Sequence, residues 1–155
     1  MRLFLAATLL ALSVPMTAVA CSKPAQATSL EAGMVQWINE QRQAKGLSPL
    51  KPSHKLKSAA QGHACDMATR GYFGHQRAGG PKLGQRVKAN GYRYRHVAEN
   101  LALSRSPSVA EAARLWHQSP RHWENLLKPG IREIGLAVAS RGDDTYWVMN
   151  VGVTH

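Results

Sequence analysis

The sequence predicts a single α+β domain, and three observations predict it. Through the first two-thirds of the chain, apolar residues recur at three- and four-residue steps between residues that cap helices. In the last quarter they alternate in two short runs joined by a turn. The 155 residues hold no internal repeat and no low-complexity segment, and that length is one domain on the usual scale. A hydrophobic share of 44% with 19% charged residues excludes a disordered chain, and two Cys exclude a zinc ribbon or a disulfide-dense scaffold.

The elements follow in order. Ser29 opens a first helix whose face carries Leu30, Met34, Ile38 and Gln41, widened by Trp37, and Gly46 stops it. Leu47-Ser48-Pro49-Leu50 is a connector. Ser53 caps a second helix with Leu56, Ala60, His63, Ala64 and Met67 on one side, ended by Gly71. Residues 71–81, with four Gly and a Pro, form a loop. Leu83 to Asn90 is a short helix closed by Gly91, and Tyr92 to Leu103 is irregular or extended. Ser108 and Glu111 make a capping box for a helix over residues 109–118. Ser119-Pro120 breaks it, Arg121 to Leu127 adds one turn or two, and Pro129-Gly130 turns. Ile134, Leu136 and Val138 alternate, Gly142-Asp143-Asp144 reverses the chain, and Thr145 to Val153 is the second strand of a hairpin.

The start of the chain reads as a leader. Met1-Arg2 precedes an apolar run from Leu3 to Val14 broken only by Thr8 and Ser13, and Ala18-Val19-Ala20 supplies a small-residue cleavage site before Cys21. The run is too short to span a bilayer as a mature helix. Residues 1–20 are thus expected to be a signal peptide, 21–28 a short tether, and 29–155 the folded domain. Export, periplasmic or extracellular, places Cys21 and Cys65 where they can pair and staple the N-terminal end to the second helix. The alternative is lipidation of Cys21 and attachment to a membrane. Cys at the first mature position favours that alternative. Ala18, three residues earlier where lipoprotein signals usually carry Leu, and the A-x-A triplet favour the disulfide.

The formal charge is +11, and the leader accounts for only one of these charges, Arg2, so the basicity belongs to the mature domain. Such a surface suits an acidic partner. Export and the lack of any nucleic-acid motif make nucleic acid the poorest of these, and leave anionic envelope material. Arg86, Arg93, Arg95 and Arg121 read as a solvated basic face in preference to a rim that draws in anions.

Three residues stand apart from ordinary surface or core roles. His75 lies in the glycine-rich loop just after Tyr72-Phe73, aromatics that can anchor the loop. His122 starts the helical turn after Ser119-Pro120. Glu99 is the only acidic residue between Asp66 and Glu111, flanked by apolar residues in a basic stretch. Two His and a carboxylate can hold a divalent metal with a position left open, or act as an acid/base pair. Spacing alone carries neither reading, because the three are far apart in sequence and the default for scattered polar residues is structural. His63, on the apolar face of its helix, reads as a hydrogen-bonded core residue. His54, His96, His117 and His155 have no patterned companions.

From about Met34 to Gly152 the chain resembles the CAP superfamily (cysteine-rich secretory proteins, antigen 5, pathogenesis-related 1; SCP domains), most closely its short bacterial secreted members. The motifs are Ile38-Asn39-Glu40-Gln41-Arg42 with Gly46-Leu47-Ser48-Pro49-Leu50, then Leu56 and Ala60-Gln61-Gly62-His63-Ala64-Cys65-Asp66-Met67. Tyr72-Phe73-Gly74-His75, Gly91-Tyr92 and Ala98-Glu99-Asn100-Leu101-Ala102 come next. Trp116-His117-Gln118-Ser119-Pro120-Arg121-His122, Asn125-Leu126-Leu127, Ile134-Gly135-Leu136 and Tyr146-Trp147 complete the set. The resemblance implies an α-β-α sandwich with a three- to four-stranded antiparallel sheet between helical layers. It implies a cleft in which His75 and His122 are metal ligands for zinc or magnesium, Glu99 reaches the metal through water, and Asn100 orients the Glu loop. Ser119, or a residue beside it, stands where animal members carry a second cleft Glu, which lowers the negative charge of the site.

The resemblance further implies a monomeric, non-enzymatic binding domain for lipid, sterol or another envelope component. The absence of a G-x-S-x-G nucleophile elbow agrees with this. The alternative is a metal-assisted hydrolase of peptide or cell-wall bonds, with His75, Glu99 and His122 as its candidate catalytic residues.

Overall fold

A computed structural model of the protein describes residues 21–155. The expected leader, residues 1–20, lies outside them. The elements are α1 (Ala27–Ala44), β1 (Lys51–Pro52), α2 (His54–Arg70), α3 (Leu83–Ala89), β2 (His96–Ser104), α4 (Val109–His117), α5 (Pro120–Leu127), β3 (Glu133–Arg141) and β4 (Asp144–Val153). They form the α+β sandwich expected, with one sheet in the order β1-β3-β4-β2.

The sheet differs from the antiparallel expectation: it is mixed. β2 and β3 flank β4 antiparallel, but β1 runs parallel to β3, Lys51 opposite Glu133 and Pro52 opposite Ile134. Two residues are too few for any alternation to show in a sequence, and Pro52 is tolerated because β1 is an edge strand. The first helix starts earlier than Ser29, whose hydroxyl donates to Gln26 O within the first turn. The segment read as irregular or extended is the nine-residue strand β2.

Both faces of the sheet are covered, so β4 is buried almost along its length, mostly by apolar residues, in place of a one-sided alternation. Trp147, Met149 and Val151 face α1, α4 and α5, where Met34, Ile38, Ala112, Trp116 and Leu126 meet them. Both buried indoles are satisfied: Trp116 Nε1 donates to Leu101 O (3.0 Å) and Trp147 Nε1 to Ser104 Oγ (2.9 Å). On the other face, Ala60, Ala64 and Ala68 of α2 pack with Ala137 and Ala139 of β3. Gly135 continues this seam. A Cβ there would sit 2.1 Å from the Leu56 carbonyl carbon and the Lys57 nitrogen, so helix backbone rests directly on strand backbone. Gly135→Ala is therefore expected to lower the unfolding free energy by about 3 kcal/mol in urea titration, the upper end of ordinary overpacking. An unchanged midpoint would show that the start of α2 shifts without penalty.

The N-terminal tether is strapped down. Cys21 is disulfide-bonded to Cys65 on α2, and Ser140 N–H at the end of β3 donates to Ser22 O. Among the described residues, no helix is long and apolar enough to cross a membrane.

Candidate functional site

The site gathers where β2, α3, α5 and the loop after α2 meet. Gly71 ends α2 in the left-handed region (φ 67°), with its N–H on Met67 O, and this turns the chain toward the sheet. Asp66 pins the root of the loop, accepting from Arg70 Nε (2.7 Å) and from Tyr72 Oη (2.6 Å). Desolvation pushes the Asp66 carboxyl up, but the bonds from Tyr72 and Arg70 outweigh it and hold the group below its ordinary range. Of the two aromatics only Tyr72 anchors the loop; Phe73 is 49% exposed, which corrects the pairing of both as anchors. His63 Nε2, donating to Gly74 O (3.0 Å), fixes the next residue and confirms His63 as a hydrogen-bonded core residue.

Glu99 is the hub. Its side chain is 2% exposed, whereas that of His75 beside it is 62% exposed. Oε1 accepts from His75 Nδ1 (2.9 Å) and lies 3.9 Å from His63 Nε2. Oε2 accepts from Arg86 Nη2 (2.7 Å). Buried Asn150 of β4, in the amide orientation its neighbours require, donates to Oε2 at 3.1 Å and accepts from Ala60 N–H. Arg86 also closes the loop, its Nη1 donating to His75 O (3.0 Å) and Pro81 O (2.8 Å). Arg86 is therefore not part of the solvated basic face read from the sequence: it is buried as the counter-cation of Glu99. Arg93, Arg95 and Arg121 are exposed, as read.

His122 enters from α5. Ser119 is the N-cap of that helix, its Oγ accepting from His122 N–H at 3.5 Å, and Pro120 occupies the first turn. Ser119 thus shapes the site as a cap. Asn100 Nδ2 donates to His122 O (2.9 Å), and Asn125 Nδ2 donates to Asn100 Oδ1 (2.9 Å), which ties β2 to α5. Asn100 lies in strand β2, next to Glu99, and not in a loop. His122 Nδ1 is buried with no hydrogen-bond partner, so the fold leaves the ring untied.

His75, Glu99 and His122 are thus brought to one place, but only His75 bonds Glu99. Sequence reading missed Arg86, Asn125 and Asn150. The lone buried carboxylate announces that a cation is needed; nothing in the sequence says which of 20 Lys and Arg supplies it. Burial lowers the pKa of both His63 and His122. Around His63, Glu99 and Asp66 raise it and Arg86 lowers it; at His122 the charge of His75 lowers it further. The folded pKa values lie below the unfolded one, so both rings fold neutral and stability falls as pH drops below about 6.5 toward the folded values. NMR titration is expected to place the His63 and His122 midpoints below the ordinary imidazole value of about 6.5; midpoints at that value would contradict the burial.

His75 donates from Nδ1 to a carboxylate, which leaves the Nε2 lone pair free, the arrangement of a metal-ligating imidazole. With the untied His122, two nitrogen donors are available. The carboxylate does not join them, because Arg86 holds it. Among the described residues, no group of three His, Cys, Asp or Glu side chains converges to hold a metal ion. Two imidazoles without the carboxylate are fewer protein ligands than the three of a catalytic zinc site.

The chain belongs to the cysteine-rich secretory protein (CAP) family, whose model matches residues 35–151. Its fold is one also found in a bacterial extracellular protein. It is 30% identical over 124 residues to the uncharacterized protein YkwD of Bacillus subtilis, covering 78% of this chain and 47% of that protein. The chain therefore spans about half the length of that curated relative. Among solved structures, an outer surface protein of Borrelia burgdorferi superimposes with a TM-score of 0.79 at 20% identity, covering 88% of this chain and 100% of the other. An extracellular SCP-domain protein of Bacillus anthracis gives 0.74 at 22% identity, over 81% of this chain and 41% of that one.

Proposed function

We propose that this chain is an exported, non-enzymatic binding domain whose cleft presents the imidazoles of His75 and His122 to a ligand from the cell envelope. The observation that carries this reading is the state of Glu99. Both of its oxygens are engaged inside the fold, one by His75 and one by Arg86. A general base must be free to take a proton from a substrate, and this carboxylate is occupied and buried. Its work is to orient the His75 ring with Nε2 outward.

A divalent cation, zinc or magnesium, would be held by His75 Nε2 and His122 and would supply a docking point for an anionic headgroup. A lipid or sterol ligand is supported by the groove between α1 and α4, about 640 Å³, lined by Trp37, Val109, Ala113 and His117. The exposed Arg93, Arg95 and Arg121 suit an anionic envelope surface. Attachment through Cys21 would require that thiol to be free of Cys65.

Calorimetry with zinc, magnesium and palmitate tests the reading. Zinc heat that disappears in His75→Ala and His122→Ala, with no turnover of peptide or cell-wall substrates, is the expected result. Turnover abolished by Glu99→Gln would replace this reading with the metal-assisted hydrolase.

A further inference from the structure

The edge of β3 opens onto a second groove, separate from the cleft. β1 pairs with β3 over only two residues, and Ser53 N–H to Ile134 O is the last bond of that ladder. Beyond it, the edge-facing groups of β3 belong to Leu136, Val138 and Ser140, because a strand presents alternate residues to one side. Val138 is plugged: its N–H donates to Glu31 Oε1 (3.3 Å) and its C=O accepts from Gln61 Nε2 (3.2 Å). Ser140 N–H is taken by Ser22 O. The N–H and C=O of Leu136 have no partner among the described residues. Buried backbone groups are rarely left so.

The space beside Leu136 is a groove of about 630 Å³ between α1 and α2. Its walls include Ala32, Val35 and Ile134, and the Glu31–Lys57 ion pair (2.6 Å) stands at one end. One donor and one acceptor of a single extended residue face it, between apolar walls.

We propose that this groove binds an extended peptide, which adds one strand rung to β3 at Leu136. A peptide residue in the β conformation offers a C=O to the Leu136 N–H and an N–H to the Leu136 C=O, while its flanking side chains cover Ala32, Val35 and Ile134. An acyl chain would fill the walls but leave both Leu136 groups unpaired and shut off from water, an unfavourable exchange. The rung is single because Ser53 limits the ladder on one side and Glu31 with Gln61 limits it on the other.

The probe is the capped tripeptide acetyl-Ala-Leu-Ala-amide, with its N-methyl-leucine analogue as control, followed by 15N NMR of the whole protein. The expected result is saturable shifts at Leu136, Ile134, Val35 and Ala32, with slower exchange of the Leu136 amide. The N-methyl analogue should bind about tenfold more weakly, the equivalent of one hydrogen bond. Ala32→Trp, an exposed position that fills the groove, should abolish the shifts while the melting temperature is retained. Equal binding of the two peptides, absence of shifts in the groove, or shifts there with palmitate and not with peptide would each overturn the proposal. Failure here would leave the cleft reading untouched, because none of these residues touches His75, Glu99 or His122.

Discussion

Arg86→Leu is expected to destabilise the protein by about 3–5 kcal/mol, the usual consequence of leaving a buried charge without its partner. The Glu99 carboxylate is 2% exposed and Arg86 8% exposed, so neither can recruit water in place of the other. The same substitution also removes the two bonds from Arg86 to His75 O and Pro81 O. The loop that presents His75 should therefore loosen as the global stability falls. The double variant Arg86→Leu/Glu99→Gln separates these effects. The neutral amide needs no counter-cation, so most of the loss should return in urea unfolding, whereas the loop would remain untied. A double variant as unstable as the single one would place the whole effect in the loop bonds. A single variant within about 1 kcal/mol of the parent would show that the pair contributes no more than a surface ion pair does.

Opening the Cys21–Cys65 bond is the second large effect. The bond closes a span of 44 residues, and loop-closure entropy alone assigns about 4 kcal/mol to a loop of that length. Melting with and without a reductant, or of Cys21→Ser/Cys65→Ser, measures it. A difference below about 1 kcal/mol would mean that the Ser22–Ser140 bonds hold the tether by themselves. Mass spectrometry of the unreduced mature chain should show a mass two protons short of the dithiol. A diacylglyceryl mass on Cys21 would overturn the pairing.

Much of the fold was legible from local signals. The Ser108 N-cap, Gly71 at the end of α2 and the reversal at Gly142-Asp143 each act within a few residues and lie where they were expected. Asp144, however, already belongs to β4, and the Glu111 carboxylate takes Arg105 N–H and Ser106 Oγ instead of closing a box on Ser108. What escaped were features set by distant parts of the chain. The parallel pairing of β1 needs residue 133 to be beside residue 51, and no period in Lys51-Pro52 announces it. The site divided in the same way. His75, Glu99 and His122 were marked by loop context, by isolation among basic residues and by family motifs. Arg86 was not, because its role depends on a carboxylate 13 positions away on another element. Asn150 was hidden within an apolar strand whose two faces are both buried.

The seam of Ala60, Ala64 and Ala68 against Ala137 and Ala139, closed by Gly135, has a consequence for order. Alanine and glycine have no side-chain rotamers to lose on burial. The opposite face of the sheet must freeze Met34, Trp116, Trp147 and Met149 into single arrangements, whereas the seam itself freezes none, and Met67, Leu101, Tyr146 and Val148 complete the cluster beside it. The docking of α2 on β3 is therefore set by the close approach of backbone to backbone more than by interdigitating side chains. His63, Cys65 and Asp66 ride on that helix, so the loop root, the N-terminal strap and the hydrogen bond to Gly74 inherit their positions from contacts that have no freedom left to surrender.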